Sequence, residues 1–600
     1  MDLQQSKTKN SLNHLAINLT AQYQLLAGLN AQFIYGLESQ QIHGNNFYSE
    51  DSYFARDLIN RFTQVKNGGV KRNLPAGAIE DRAYSNLIGH RVRGQINFAK
   101  TWSEQHELNM LLGAELSNRT IQGNSYRNYG VDPNVLTVQK VDYVNAYPTY
   151  DNLYGNSYIP YYGSNSKYIQ RFVSVFANAA YTLRQKYTWT ASMRKDGSNV
   201  FGAVANNRWN PLWSTGLSWT VSKEGFMQNL HWLNSLKLRS TFGTSGNLAN
   251  GANRDPIMLY VGTAPFTNYP YGLINTPPNP YLKWEEVRTW NNGVDFAVLG
   301  NRISGSFEWF DKWSIDLIAP DELDPTTGFL TADRNIGEIR GKGFDAKIDI
   351  TSASGSPLQW KITVGLSHAK STVTKFNGTL SSTQNYAESG PRALNPILQK
   401  ELYPVFAYRF AGLDPQNGDP QGYLNGEISK DYQKLMNDSL QNLHYYGSAL
   451  PRYYGFLRGM LSYKGVQLTF SLNYKFGHYF RNRTIGYNGL FDGAAAHGDY
   501  YKRWQNPGDE NYTTVPSLLY PGNGNRDNFY KYAEPNVLKG DVIRLQDIGL
   551  RYAFPKFPAQ LTASINNVGI LWRANKKGVD PDYFTIPPGR IYSMGININL

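Results

Sequence analysis

The sequence predicts an all-β fold, an antiparallel transmembrane β-barrel wall, on three observations. Apolar side chains recur at every second position over stretches of about 10 to 14 residues, longer than the five or six usual in globular strands. The links between these stretches alternate short and long, and the last stretch, "RIYSMGININL", runs to the end of the chain.

The elements follow in order. The first expected strand covers residues 13 to 25, with Leu15, Ile17, Leu19, Ala21, Tyr23 and Leu25 on one face. The tight turn "LLAG" leads to a second at 28 to 38, where Leu29, Ala31, Phe33, Tyr35 and Leu37 share a face. A long link, 39 to 88, precedes strands at 89 to 100 and 106 to 118, the latter led by Leu108, Met110 and Leu112. The link 119 to 169 precedes strands at 170 to 183 and 187 to 196, joined by "RQKY". Strands at 210 to 221 and 235 to 246 are followed by the link 247 to 283, then by strands at 284 to 298 and 302 to 313 around "LGNR". Strands at 336 to 350 and 359 to 371 lead into the longest link, 372 to 451. The clearest alternation is "GVQLTFSLNYKFG", in the pair 452 to 463 and 466 to 478: Val466, Leu468, Phe470, Leu472, Tyr474 and Phe476 face one way, and Gln467, Thr469, Ser471, Asn473 and Lys475 the other. After the link 479 to 540 come strands at 541 to 554, 560 to 569 and 590 to 600, making about 17 in all. In the last, Tyr592, Met594, Ile596, Ile598 and Leu600 alternate with Ser593, Gly595, Asn597 and Asn599.

Any one such strand could pack its apolar face on a second protein layer, as in a sandwich or propeller. The set as a whole argues for lipid, because long half-apolar strands avoid exposed edges and unsatisfied backbone groups by joining a barrel wall. Alternate short turns and long loops are the pattern of outer-membrane barrels. The Val466 face carries no charge, and Tyr463, Tyr474 and Tyr592 are placed to join interfacial aromatic girdles.

Composition narrows the rest. No apolar run approaches the roughly 18 residues of a spanning helix, and with no cysteine in 600 residues the chain has no disulfide framework, Cys-ligated zinc, iron–sulfur cluster or thiol catalysis. The formal charge is +13, but the basic residues are scattered, which argues against a nucleic-acid partner. The start "MDLQQSKTKNSLNH" lacks the basic-then-apolar pattern of a secretory signal.

Catalytic motifs fail on context. "GKGFDA" matches a dinucleotide fingerprint but continues into the alternating "KIDIT", a strand without a helix N-terminus for a pyrophosphate. "HELNM" lacks the second histidine of a zinc-protease helix. Glu285 and Glu286 are adjacent on a strand and point to opposite faces, so they cannot flank one glycosidic bond. No cofactor and no enzymatic activity are expected. Asp414, Asn417 and Asp419 in "DPQNGDP" offer oxygen ligands for calcium, although the same residues are ordinary turn formers. "YPTYDNLYGNSYIPYYG" brings Tyr147, Tyr150, Tyr154, Tyr158, Tyr161 and Tyr162 together with Pro148 and Pro160, surfaces suited to a sugar or a partner protein, or to packing on one another.

Several segments in order, "MRKDGSNVFGAVANNRWNPLWSTGLSWTVSKEGFM", "LNSLKLRSTFGTSGN", "RNIGEIRGKGFDAKIDI", "FAGLDPQNGDPQGY", "GSALPRYYGFLRGMLSYKGVQLTFSLNYKFG" and "DVIRLQDIGLRYAFP", resemble the SusC/RagA family of TonB-dependent outer-membrane transporters from Bacteroidetes. The resemblance runs from about residue 10 to the end and covers the barrel alone. It implies a 22-stranded barrel in the outer membrane, a plug inside it, energy from the TonB complex, and a SusD-like surface lipoprotein that captures oligosaccharide or peptide. Residues 1–600 are then expected to be the C-terminal barrel portion, with no plug or signal peptide, any contact with TonB passing through a plug supplied elsewhere. An odd strand number cannot close antiparallel, so an incomplete wall is expected, with an open seam between the first and last strands. Leu600 stands where the family usually ends in an aromatic residue. The competing expectation is a soluble secreted β-rich glycan-binding protein.

Overall fold

The computed structural model describes all residues except 1, 67, 104, 200–208, 248–255, 265, 268, 391–392, 492, 494–496, 556, 584–586 and 599–600, so the expectation for Leu600 lies outside the described residues. Seventeen long strands organise the chain, as the alternation predicts. They are β1 (Ser6–Leu26), β2 (Leu29–Tyr48), β3 (Ala78–Trp102), β4 (His106–Asp132), β5 (Ser164–Leu183), β6 (Tyr187–Ser198), β7 (Trp209–Thr220), β8 (Leu233–Asn247), β9 (Glu285–Val298), β10 (Ile303–Glu322), β11 (Thr331–Thr351), β12 (Leu358–Phe376), β13 (Tyr453–Tyr463), β14 (Val466–Phe476), β15 (Val542–Ala553), β16 (Ala559–Arg573) and β17 (Ile591–Ile598). The connections alternate along the chain. Residues 27–28, 184–186, 299–302 and 464–465 are tight turns, whereas the connections numbered 49–77, 133–163, 377–452 and 477–541 are long.

The chain forms two compact units: Met1–Trp102 with Glu107–Ala180 and Ser192–Pro211, and Ser103–His106 with Tyr181–Ala191 and Leu212–Leu600. In the first, β1 is registered antiparallel with β2, and β2 with β3. Registered partners make rows on one face: Ile17, Leu37 and His90; Leu19, Tyr35 and Val92; Tyr23, Ala31 and Ile96.

In the second unit, β7 to β17 form an unbroken antiparallel meander, each strand paired with the next. Across β10, β11, β12 and β13 one face carries the rows Ile303–Ile350–Ile362–Gly459, Gly305–Ile348–Val364–Leu457, Phe307–Ala346–Leu366–Gly455 and Trp309–Phe344–His368–Tyr453. The band continues through Leu461, Leu468, Leu550, Ala563 and Met594. Among the described residues these apolar side chains stand open: Leu468 is 39%, Leu550 49% and Met594 90% exposed. The opposite face carries paired charges. There Arg239 Nε donates to Asp295 at 3.0 Å and also pairs with Glu308, and Lys347 and Lys361 meet Asp349 at 3.1 and 3.2 Å.

Aromatic rings smooth the band by lying over glycines. A Cβ on Gly459 would come within 2.2 Å of Phe470, and Tyr474 reaches across Gly455 to donate its hydroxyl to the Gly365 carbonyl at 2.6 Å. Tyr463 and Tyr552 share a row with Val466 at the turn end of the meander, and Tyr474, Phe476 and Trp572 cluster at the loop end. Aromatic girdles at two heights are what an interfacial band requires.

The strands overrun their expected lengths. β3 and β4 were expected at 89–100 and 106–118 but extend to Ala78 and Asp132, so the true long connections begin later and end sooner. The 27 residues of β4 span about 90 Å at 3.3 Å per residue, far more than hydrocarbon demands. Beyond the band neither face is set against hydrocarbon, so the strands keep their backbone pairing while losing their apolar alternation, and their far ends, Ala78–Asp81 and Tyr129–Val131, are buried. The edges agree with the odd strand count. β1 is registered with β2 and β17 with β16, and Lys7 to Leu26 and Ile591 to Ile598 are exposed throughout.

The band generates a direct test. Leu472→Arg on the apolar face of β14 is expected to lower unfolding stability in micelles by about 2–4 kcal/mol, whereas Asn473→Arg, one residue on and facing the other way, costs under about 1 kcal/mol. Urea titration followed by tryptophan fluorescence reads both.

Candidate functional site

The wall positions two loop bodies, each with its own core, and these are the candidate ligand-facing surfaces. In the second unit, connections 377–452 and 477–541 fold together. Their core joins Tyr386, Phe406, Tyr408, Tyr432, Leu435, Met436, Phe529 and Ala533, all buried. Short pieces build it: a helix at Thr383–Glu388 capped by Ser382, one at Tyr432–Met436 capped by Asp431, one at Gly524–Lys531 capped by Asn523, and the paired segments Pro404–Tyr408 and Leu443–Ser448. Each cap side chain accepts a backbone N–H that the first helical turn leaves unpaired.

Two arginines tie the connections together. Arg481 donates to the carbonyls of Tyr532 at 3.0 Å and of Ala387 and Phe406 at 2.6 Å each, and lies over the Tyr532 ring. It has no carboxylate within ion-pair distance among the described residues, and burial pulls its pKa down to about 10, so it stays charged at neutral pH. Arg526, 2% exposed, donates from Nε to Asp419 at 2.7 Å and from Nη2 to the Ser517 carbonyl at 2.9 Å. Beside it, burial raises the pKa of Asp527, whose carboxylate accepts the Asn488 N–H. Neither arginine stands out in the sequence, because their partners lie far along the chain and no local period marks them.

Asp414, Asn417 and Asp419, offered by the sequence as a turn or as candidate calcium ligands, are engaged within the protein. Asp414 accepts from Lys430 Nζ at 2.6 Å and from the Gln416 N–H, Asn417 accepts the Asp419 N–H, and Asp419 pairs with Arg526. The Lys430 ammonium holds the Asp414 carboxyl below the usual aspartate range. Both carboxylates are thus neutralised by protein cations within a turn. Of the other motifs, His106 meets the Tyr181 hydroxyl, "GKGFDA" lies inside β11, Glu286 pairs with Arg288, and Glu285 accepts the Ile318 N–H.

In the first unit, helix Tyr53–Arg61 and connection 133–163 share a core of Ala55, Leu58, Ile59, Phe62, Leu74, Ile79, Tyr129 and Ile159. Gln64 Nε2 donates to the carbonyls of Pro148 and Thr149, and the Tyr129 hydroxyl to that of Pro160, fixing both ends of the tyrosine-rich segment. On this support Tyr150, Tyr154, Tyr158, Tyr161 and Tyr162 are exposed, between 47% and 72%. Tyr147 is half-buried and donates to Asp142 at 2.8 Å. Arg61 lies 5.5 Å from the Tyr154 ring and Arg127 5.2 Å from the Tyr162 ring. Tyr161 packs edge-on against Tyr143, with ring centroids 5.2 Å apart. Rings held from below and open above are surfaces a sugar or peptide can stack on.

Two outcomes follow. Arg481→Ala leaves three carbonyls without their donor, at about 1–3 kcal/mol each when buried, and is expected to speed hydrogen exchange at 383–388 and 404–408 while β13 and β14 keep their protection, with Arg481→Lys intermediate. Asp142, held by Asn145, Val144 and Tyr147, has its pKa lowered from 3.8 to about 2. Its depressed value means that the ordering it supplies is present above about 4 and is lost as pH falls towards 2. Exchange of the Val144 and Asn145 amides between pH 5 and 2 measures it.

The comparisons with known proteins agree with this architecture. Residues 3–568 match the family model "TonB dependent receptor-like, beta-barrel". The chain is 26% identical over 443 residues to the TonB-dependent receptor SusC of Bacteroides thetaiotaomicron, covering 68% of this chain and 41% of that protein. It is 26% identical over 463 residues to the TonB-dependent receptor P39 of Formosa agariphila, covering 68% and 43%. The chain thus spans about two fifths of these relatives' own length. Among solved structures, the RagAB peptide transporter superposes with a TM-score of 0.77 over 99% of this chain and 62% of that one at 17% identity, which shows the shared fold. The chain belongs to the TonB dependent receptor-like β-barrel family of the outer membrane, in its SusC/RagA branch.

Proposed function

We propose that the chain is the barrel part of a TonB-energised importer that carries an oligosaccharide or peptide across the outer membrane. The observation that carries the reading is the two-faced wall: registered apolar rows on one side and ion-paired charges such as Arg239, Asp295 and Glu308 on the other separate lipid from a watery path. In this reading the loop bodies meet the ligand and a SusD-like surface lipoprotein, and the TonB complex acts through a plug supplied outside these 600 residues. The relative RagAB is a peptide transporter, which supports peptide as one of the two substrate classes. No bond-making step belongs to the proposal, because Glu285 and Glu286 are engaged separately with Ile318 and Arg288.

The test is growth of the host with the gene deleted, on oligosaccharide and peptide pools at limiting concentration and on the matching monomers. Loss of growth on one polymer class, with monomer growth intact and uptake abolished by a protonophore, is the expected result. Unchanged growth on every pool, or a purified chain that stays monomeric without detergent, overturns the reading in favour of a soluble glycan-binding protein.

A further inference from the structure

The apolar face of the second unit ends in an unbalanced cluster of cations. The register of β11 with β12 is unbroken from Thr351↔Lys361 to Ile339↔Val373, so the residues two and four places beyond Phe344 share its face. Directly past the row Trp309–Phe344–His368–Tyr453 comes the row Asp311–Lys342–Lys370, and then Trp313–Arg340–Thr372. Rows on one face are about 7 Å apart along the strand. The cations therefore stand one headgroup depth beyond the aromatic girdle, on the side from which the long connection 377–452 departs.

Within the cluster Arg340 makes a bidentate pair with Asp311, at 3.1 and 2.7 Å, and its guanidinium lies 5.2 Å from the Trp313 ring centroid. Lys342 Nζ is 3.7 Å from the same carboxylate, already engaged by Arg340. Lys370 is exposed and has no carboxylate within ion-pair distance among the described residues. Three cations against one anion leave two positive charges in the cluster. Lys342 and Lys370 also face each other directly across the strand pair, an arrangement that costs stability unless an anion joins them. On the opposite face of the same two strands Lys347 and Lys361 share Asp349. The Asp311–Lys342–Lys370 cluster thus sits on the side that carries Phe307, Ile348 and Val364.

We propose that Lys342, Lys370 and Arg340 bind a phosphate group of an outer-leaflet lipid, whose acyl chains lie down the apolar rows beneath. The lysines supply mobile point charges, and Arg340, held by Asp311 and Trp313, supplies a fixed edge. Continuity of the cluster with the apolar band selects a lipid headgroup over a free anion: the phosphate site and the acyl-chain surface are one face. Lipid contact at this face is the premise shared with the proposed function, and nothing about substrate or TonB enters.

The experiment measures binding of monophosphoryl lipid A, and of the same lipid with its phosphate removed, to the full chain in dodecyl maltoside micelles. The parent is expected to prefer the phosphorylated lipid. Lys342→Gln with Lys370→Gln weakens that binding by about tenfold or more and leaves the dephosphorylated lipid unaffected, while Lys342→Arg retains it. Lys347→Gln on the opposite face stays at the parent level. Raising sodium chloride from 0.1 to 0.5 M weakens the parent more than the double variant. Equal binding by parent and double variant, an equal loss in Lys347→Gln, or no preference for the phosphorylated lipid overturns the proposal. Displacement of the lipid by millimolar inorganic phosphate assigns the site to a free anion and overturns the lipid assignment. Heat-modifiable gel mobility confirms folding of each variant, and each single lysine change is measured separately so that one misfolded variant leaves the other decisive. A chain that needs no detergent sinks the premise and the proposed function together; a detergent-dependent chain with no phosphate preference sinks this inference alone.

Discussion

A backbone amide or carbonyl placed in hydrocarbon has no water to turn to, and this constraint organises the wall. Every strand from β7 to β17 therefore takes its neighbour in sequence as its neighbour in space, joined in turn by tight turns such as 464–465 and by long connections. Once the ladder is set, a period of two puts Val466, Leu468 and Phe470 on one side and Gln467, Thr469 and Ser471 on the other. Charges are then confined to one face within the band, and appear on the other only past the girdle, at Asp311, Lys342 and Arg340. β1 and β17 are the strands whose outer edges the described residues leave unmatched.

The loop bodies obey different physics. Burial of Phe406, Tyr408, Phe529 and Met436 orders one of them as it would a small soluble domain, and Leu58, Phe62 and Ile159 order the other. Buried arginines supply what such small cores lack. Arg481 collects carbonyls from three separated segments, and Arg526 binds the turn at Asp419 to the helix that carries Phe529. A rigid support of this kind lets surface rings such as Tyr154 and Tyr158 stay exposed without collapsing on one another, at a lower ordering cost when a ligand arrives.

The wall was legible in the sequence because the bilayer imposes one rule on every strand in turn. Seventeen strands, their tight turns and the apolar face of β14 follow from alternation alone. The extensions of β3 and β4 were not legible, since a stretch past the hydrocarbon band, such as Asn118 to Asp132, part exposed and ending on the buried Tyr129 and Val131, carries no period of two. The inner structure of 377–452 and 477–541 was hidden for another reason. Arg481 contacts Ala387, and Arg526 contacts Asp419, across about a hundred positions of chain, a separation at which composition and spacing are silent. The oxygen-rich "DPQNGDP" showed its turn chemistry, while Lys430 and Arg526, which occupy its carboxylates, lie outside the motif.

Because the chain contains no cysteine, single cysteines can be placed at will. A nitroxide scan of residues 466–476, with the protein in bilayers, measures collision with molecular oxygen, which concentrates in hydrocarbon, against collision with a water-soluble nickel chelate. Oxygen accessibility that peaks at 466, 468, 470, 472 and 474, with nickel peaking at 467, 469, 471 and 473, is the result expected of a wall between lipid and water. A flat profile, or the two oscillations exchanged, would contradict the account at its root.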